Sequence, residues 1–182
     1  GRCDMMEPLL DDWLKLLLHY ECPQNGEELR WLLDHVKGCK KVLEVGSNFG
    51  GTLKRMASVM PEGSLLVSVD FPFDETPKFL KPVESLKSTC QKITNTYRHK
   101  VELFIGDSHD YRVVEKVGAM GPFDFGFIDG DHSYAGVKED WENYGPMCKK
   151  VGFHDIGGAI PGCGKLWKEL KDSGVLWDEQ IV

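Results

Sequence analysis

Short runs of apolar and β-branched residues alternate with longer segments of helix-forming composition along most of the chain. The apolar runs predict five strands, namely Lys41–Val45, Leu65–Asp70, Val101–Ile105, Phe123–Asp129 and Val151–Phe153. The segments between and after them predict the helices Thr52–Met60, Pro82–Arg98, Tyr111–Met120, Tyr134–Tyr144 and Lys165–Lys171. Strands and helices that alternate in this way predict an α/β fold with a doubly wound, mostly parallel sheet and helices on both faces.

Both ends of the chain depart from this alternation. Two predicted helices, Leu9–Tyr20 and Glu27–Val36, precede the first strand, and we expect residues 1–38 to form a helical cap over the sheet or its cleft. A loop rich in glycine and proline, Gly157–Gly164, follows the fifth strand, and Leu176–Val182 has room for the start of one more strand. With 182 residues, we expect a single domain, 1–182, in which the final strand pair is reduced or missing.

Composition indicates which kinds of partner and which cellular compartment to expect. The formal net charge is −7 and no dense Lys/Arg stripe occurs, so nucleic acid is not an expected partner. The apolar stretch Leu9–Tyr20 contains three charged residues and is too short to span a membrane, so no membrane partner is expected. The six cysteines form no C-x-x-C pair and no signal-peptide pattern opens the chain, which indicates a cytoplasmic protein. Nothing in the sequence indicates an oligomeric state.

Each predicted strand ends in an acidic residue or a glycine turn. In an open parallel sheet, ligands bind beyond the carboxyl ends of the strands, where these ends meet at one edge. Carboxylates are unfavourable at buried strand ends unless they are paired or bind a ligand, so the edge predicts a site for a polar ligand. The segments concerned are Glu44–Thr52, Asp70, Gly106–Ser108, Asp129–His132 and His154–Asp155.

The glycine-rich loop after the first strand separates two classes of cofactor. It reads G-S-N-F-G-G from Gly46, whereas a dinucleotide-binding loop reads G-x-G-x-x-G. This difference disfavours a nicotinamide-dependent oxidoreductase, which stays an alternative. Glu44 suits a ligand with a cationic amine, and Asp70, 24 residues after Gly46, is placed to accept hydrogen bonds from both hydroxyls of a ribose.

Several motifs together resemble a known family. E-x-G-x-x-x-G at Glu44–Gly50, the acidic end of the second strand and G-D-S at Gly106–Ser108 resemble the class I S-adenosylmethionine-dependent methyltransferases, over about residues 24–171. F-I-D-G-D-H-S-Y at Phe127–Tyr134, followed by F-H-D-I at Phe153–Ile156, is similar to their small-molecule and sugar O-methyltransferase branch, in which some members are metal-dependent. The chain departs from the family in a short link from Met147 to Phe153 that lacks a P-G-G turn.

The resemblance implies a Rossmann-like fold, S-adenosylmethionine as cofactor and a small hydroxylated metabolite or sugar as acceptor. It implies that Glu44 and Gly46 hold the methionine moiety, Asp70 the ribose and Asp107 with Ser108 the adenine, while Asp129 lies near the transferred methyl group. The expected cofactor-binding residues are Glu44, Gly46, Ser47, Asn48, Gly50, Thr52, Asp70, Asp107, Ser108 and Asp129.

The catalytic candidates are Asp129 and His132. His132 begins the segment after the fourth strand, where it can act as general base on an acceptor hydroxyl, or only as a helix-capping or core histidine. A Mg²⁺ ion can be held by Asp129 and Asp155 with His154 or Asp131, although Asp155 and His154 can equally cap the next loop. A domain that binds the nucleoside without catalysis is a third function. We expect the other histidines to be surface or packing residues and Cys163 to belong to a loop; these histidines are His19, His35, His99 and His109.

Overall fold

One sheet of five parallel strands organises the computed structural model, which describes residues 26–71, 82–157 and 161–174. The strands lie in the order β3-β2-β1-β4-β5. This order reverses between β1 and β4, and the crevice at such a reversal is where open α/β sheets bind ligands. The predicted doubly wound parallel fold is therefore confirmed. The strands are β1 (Lys41–Val45), β2 (Leu65–Asp70), β3 (Lys100–Ile105), β4 (Phe125–Ile128) and β5 (Val151–Phe153).

Helices cover both faces of the sheet in the described part of the chain. On one face lie α1 (Gly26–Val36), α2 (Gly51–Ala57) and α3 (Pro82–Tyr97). On the other lie α4 (Tyr111–Gly118), α5 (Tyr134–Tyr144) and α6 (Pro161–Asp172), with a short 3₁₀ turn, Gly145–Met147, after α5.

The core follows from the alternation of side chains along the strands. In β1, Val42 packs with helices α1 to α3, whereas Leu43 and Val45 pack against α4 and α5 on the opposite face. A third apolar cluster joins Ile128 and Phe153 at the ends of β4 and β5 to α6. Because the strands are covered on both faces, β1, β2 and β4 are buried almost throughout, which is why apolar residues predominate in them.

Some helix boundaries differ from the sequence-based expectation. Helix α2 ends at Ala57 rather than Met60, because Met60 precedes a proline and the α conformation is disfavoured there. Helix α6 begins at Pro161, so residues 161–164 form its first turn and the prediction of a loop there is wrong. Proline suits the first helical position. Cys163 is accordingly a buried helical residue and not a loop residue.

The short link before β5 still gives a regular strand. A parallel bridge between Phe123 and Cys148 comes first, and β5 then pairs with β4 from Gly126 opposite Val151 to Ile128 opposite Phe153. The predicted helix Leu9–Tyr20 and the segment Leu176–Val182 lie outside the described residues, so the cap, the final strands and the single domain stay predictions. No described helix has both the length and the apolar character needed to cross a bilayer.

Candidate active-site cleft

A cleft of about 1030 Å³ opens at the carboxyl ends of the strands. Small-molecule sites commonly enclose about 300–1,000 Å³, so this cleft has room for a nucleoside and a small acceptor. It brings together most of the residues that the sequence singled out. Those that line it are Gly46, Asn48, Asp70, Asp107, Ser108, Asp129, Asp131, His132, His154 and Asp155.

The glycine loop is pressed against the neighbouring strand ends. Gly46 has a φ of +87°, its N–H donates to the carbonyl of Val69 over 2.8 Å, and a Cβ at this position would collide with the carbonyl of Asp129. Only glycine fits so close to another backbone in this conformation. Gly46 therefore fixes the loop at the point where the strand order reverses.

Asp70 ties the same loop to the end of β2. Its Oδ1 accepts hydrogen bonds from the backbone N–H groups of Ser47, at 3.2 Å, and Asn48, at 3.3 Å. Burial raises the pKa of Asp70 to about 6, and these backbone hydrogen bonds offset the effect only in part. Asp70 lines the cleft as well, so it can bind a ligand while it braces the loop.

Glu44 lies behind the loop and does not line the cleft. Its side chain is 1% exposed, and its Oε2 accepts a hydrogen bond from the Ser47 hydroxyl over 2.6 Å. The pKa of Glu44 is raised to about 8, mainly by burial; the hydrogen bond from Ser47 opposes the rise and the nearby charges of Asp129 and Asp70 add to it. The geometry thus gives Glu44 contact with Ser47 rather than with the cleft, and Ser47, Gly50 and Thr52 also lie outside the lining.

The turn after β3 forms another wall of the cleft. Asp107 Oδ1 accepts a hydrogen bond from the backbone N–H of His109 over 2.9 Å. His109 itself lines the cleft, and its Nε2 lies 3.2 Å from Oδ1 of Asp140 on α5. His109, which the sequence analysis treats as a surface or packing residue, thus lies in the cleft wall beside a buried acid. One signal in the sequence was available, since Asp140 shares the helix face of Val137 and Tyr144, where an acid is out of place.

His132 and His154 alternate with two carboxylates at the ends of β4 and β5. His132 places Nε2 3.1 Å from Asp129 Oδ1 and Nδ1 3.1 Å from Asp155 Oδ2. His154 places Nδ1 2.9 Å from Asp129 Oδ1 and 3.4 Å from Asp155 Oδ2. Glu28 of α1 approaches His154 Nε2 at 3.7 Å. Asp129, His132, Asp155 and His154 thus form a closed ring of acids and imidazoles on one side of the cleft.

The ring shifts the proton affinities of its members. The hydrogen bond to Asp129 raises the pKa of His132, against the effect of burial. Burial lowers the pKa of His154, but its contacts with Asp129 and Asp155 prevail and raise it to about 9. Burial alone would raise the pKa of Asp129, yet hydrogen bonds from both histidines bring it below its usual value. Each imidazole is thus a stronger base than a free histidine.

The chain matches the family described as "Methyltransferase domain" over residues 43–156. This match spans more than half of the chain and includes every residue of the cleft named above. The chain belongs to this methyltransferase family. No curated protein sequence matches the chain significantly.

Solved structures share the fold of this methyltransferase at low sequence identity. CalS11, a TDP-rhamnose 3′-O-methyltransferase of calicheamicin biosynthesis, has a TM-score of 0.61 at 17% identity, over 100% of this chain and 83% of its own. An O-methyltransferase from Bacillus cereus in complex with SAH has a TM-score of 0.58 at 14% identity, over 94% and 80%. MycE, from mycinamycin biosynthesis, in complex with Mg, SAH and mycinamycin VI, has a TM-score of 0.53 at 19% sequence identity. The alignment covers 87% of this chain and 47% of MycE. At these identities the likeness concerns the fold alone.

The predicted Mg²⁺ ligands Asp129, His154 and Asp155 all lie in the ring, which also contains His132. The ligand atoms of Asp129, His132 and His154 lie within 4.8 Å of one another, whereas the expected set held Asp155 in place of His132. Mg²⁺ prefers oxygen ligands, and a set of two imidazoles and one carboxylate suits transition metals better. The group of Asp129, His132 and His154 therefore suits a transition metal better than Mg²⁺.

The other predicted packing residues are confirmed where the structure describes them. His99 is buried between the backbone N–H of Ser64 and the carbonyl of Ala57, and His35 packs between Trp31 and Phe125. His19 lies outside the described residues.

Proposed function

We propose that this methyltransferase transfers the methyl group of S-adenosylmethionine to a hydroxyl oxygen of a small metabolite or sugar. The observation that carries the proposal is the position of His132, held between Asp129 and Asp155 in the same cleft as the Gly46 loop. A base activates the acceptor, while the loop and Asp70 suit a nucleoside, so one cleft offers both halves of the reaction.

The cleft fits this cofactor on two grounds. The absence of a side chain at Gly46 lets a ligand approach the loop backbone, and the Asp70 carboxylate at the end of β2 can accept hydrogen bonds from ribose hydroxyls. S-adenosylmethionine supplies an electrophilic methyl group on a sulfonium sulfur. Asp107 and Ser108 form the wall that would receive adenine.

The chain's own contribution to the chemistry is alignment and proton transfer. His132 Nε2–H donates to Asp129, which leaves Nδ1, on the Asp155 side, to receive the hydroxyl proton. The acceptor oxygen then bonds to the methyl carbon as the carbon–sulfur bond breaks, and sulfur keeps that electron pair. General-base assistance of this kind contributes about 10² to 10⁴ in rate.

The donor set favours histidine over Mg²⁺ as the activating group, so we expect EDTA to leave turnover unchanged. Loss of activity with EDTA and its recovery with Mg²⁺ alone would restore the alternative of a magnesium-assisted transfer.

The proposed partner is a small-molecule acceptor and not a nucleic acid, in keeping with the formal net charge of −7. The four described cysteines, Cys39, Cys90, Cys148 and Cys163, are free thiols, which supports a reducing, cytoplasmic setting.

Calorimetric titration tests the cofactor directly. We expect binding of S-adenosylmethionine and S-adenosylhomocysteine and no binding of NAD or NADP. Tight NAD binding without a response to either sulfur nucleoside would favour the oxidoreductase alternative. A screen of catechols, sugars and other hydroxylated metabolites with labelled S-adenosylmethionine then tests transfer, and binding without turnover on any acceptor would favour the non-catalytic domain.

A further inference from the structure

Asp140 is a wholly buried carboxylate on α5 that the proposed reaction does not use. Burial raises its pKa to about 6, and Ser108 and His109 lower it only in part. An ionised group in this position costs folding free energy at neutral pH, because the fold favours its protonated form. The stability of α5 therefore does not account for an acid at this position.

Two residues of the cleft lining, Ser108 and His109, interact with Asp140. His109 Nε2 lies 3.2 Å from Asp140 Oδ1 and also 3.2 Å from the carbonyl oxygen of Gly136. The His109 side chain is 23% exposed and lines the cleft. The Gly136 carbonyl hydrogen-bonds the His109 ring, and the charge of the Asp140 carboxylate beside it helps to hold a side chain that reaches the cleft.

The same helix holds the turn after β3 at a second point. The Tyr144 hydroxyl donates to the backbone carbonyl of Ser108 over 2.7 Å, one turn of α5 beyond Asp140. The backbone N–H of His109 donates in turn to Asp107. Residues 107–109 are therefore attached to α5 by the contacts of His109 with Asp140 and the Gly136 carbonyl and by the hydrogen bond from Tyr144 to Ser108.

We propose that Asp140, acting through His109, is a positioning residue that fixes the turn at residues 106–110 as a cofactor-binding wall of the cleft. The proposal rests on the proposed function, since that turn is the one assigned to the adenine of S-adenosylmethionine. Tyr144 is the second anchor of the same wall.

Equilibrium binding of S-adenosylhomocysteine to the intact chain tests this role. We expect Asp140→Asn to weaken binding at least about tenfold, the low end of the range for losing a contact with a buried charged group. We expect its melting temperature to be unchanged or higher, because the variant removes a buried charge. A merely structural role would instead lower the melting temperature and leave the affinity of the folded protein intact.

A double-mutant cycle shows whether Asp140 acts through His109. His109→Ala should weaken binding about as much as Asp140→Asn, and the double variant should be no weaker than either single variant, since both remove one pair. Additive losses would overturn the proposed route. Tyr144→Phe should also weaken binding, by a smaller factor.

Glu142→Gln is the matched control, an acid-to-amide change at an exposed position of the same helix, and it should leave affinity unchanged. Full affinity in folded Asp140→Asn overturns the proposal. If Asp140→Asn does not fold, full affinity in His109→Ala overturns it. Failure of the unaltered protein to bind S-adenosylhomocysteine is a different result, which refutes the proposed function itself.

Discussion

His132 and Ser133 are neighbours in the chain but differ in what their side chains contact. The Ser133 hydroxyl accepts a hydrogen bond from the backbone N–H of Gly136 and so caps α5. His132 instead faces Asp129 and Asp155. The alternative in which His132 caps the helix is therefore not supported, because Ser133 fills that role.

His132→Ala should lower turnover by about 10² to 10⁴, the usual contribution of a general base, and leave the affinity for S-adenosylhomocysteine within about twofold. Ser133→Ala provides the matched control. It should lower stability by about 1 kcal/mol, as loss of a helix cap does, and keep turnover per folded molecule. Steady-state kinetics and melting curves on both variants separate the two roles, and full turnover in folded His132→Ala would exclude the base.

Asp70→Ala should weaken binding of S-adenosylmethionine by about 1–3 kcal/mol, because it removes a charged hydrogen-bond acceptor at the cleft. It also removes the acceptor of the Ser47 and Asn48 N–H groups, so part of the loss reflects a looser loop. Isothermal titration calorimetry measures the effect. Asp34→Ala, at an exposed position on α1, serves as control. Unchanged affinity in Asp70→Ala would show that the end of β2 does not face the cofactor.

At the scale of elements, the sequence was most informative where burial alone decides the structure. The bounds of β1, β2 and β5 agree with the prediction, since strands covered on both faces are apolar and end in polar turns. The first turn of α6 was missed because its glycines read locally as a loop. Gly162 packs against the backbone at His132, and Gly164 against that of Ile156, and such close approaches arise only in the folded chain.

The Gly46 loop offers a sharp test of how one element meets another. Gly46→Ala places a methyl group against the carbonyl of Asp129 and forces alanine into a left-handed conformation, so it should abolish cofactor binding and destabilise the protein. Gly38 has nearly the same φ, +86° against +87°, but a Cβ there meets nothing within 4 Å.

Gly38→Ala should therefore cost only the backbone strain, about 1–2 kcal/mol, and keep cofactor affinity. Chemical denaturation and calorimetry on the pair measure both effects. Equal destabilisation with full affinity in both variants would show that the contact between Gly46 and β4 is unimportant.

Across the whole molecule, the cleft depends on contacts between residues far apart in the chain. Parallel topology alone predicted that the polar strand ends meet, and they do. Topology predicts neither the pairing of His109 with Asp140 nor the position of Glu44 behind the loop. The first depends on how α5 packs against the turn after β3, and the second on the hydrogen bond between Glu44 and Ser47. These contacts also determine how the buried charges respond to pH.

Glu44 and His154, whose pKa values are both raised by the fold, make the protein less stable as pH rises between 6 and 9. Burial raises the pKa of Glu44 to about 8, and the acids around His154 raise its pKa to about 9. In both cases the folded protein binds more protons than the unfolded chain, so stability falls as pH rises through this range. For Glu44 the unfolded chain ionises while burial keeps the folded carboxyl protonated up to about pH 8, and for His154 a favourable charge pairing is lost as pH approaches 9. The lowered pKa of Asp129 makes stability depend on pH only at and below about pH 3.8, outside the range in which Glu44 and His154 change stability.

The melting temperature should therefore fall steadily from pH 6 to pH 9 when measured without ligand by differential scanning calorimetry. Glu44→Gln should flatten the part of the fall between pH 6 and pH 8, because glutamine carries no proton that burial can retain. It should leave the part between pH 8 and pH 9, where His154 loses its charge. Glu142→Gln, at an exposed site, should follow the unaltered protein at every pH. A melting temperature that rises over this range, or a Glu44→Gln curve parallel to that of the unaltered protein, would show that Glu44 ionises without cost in the fold.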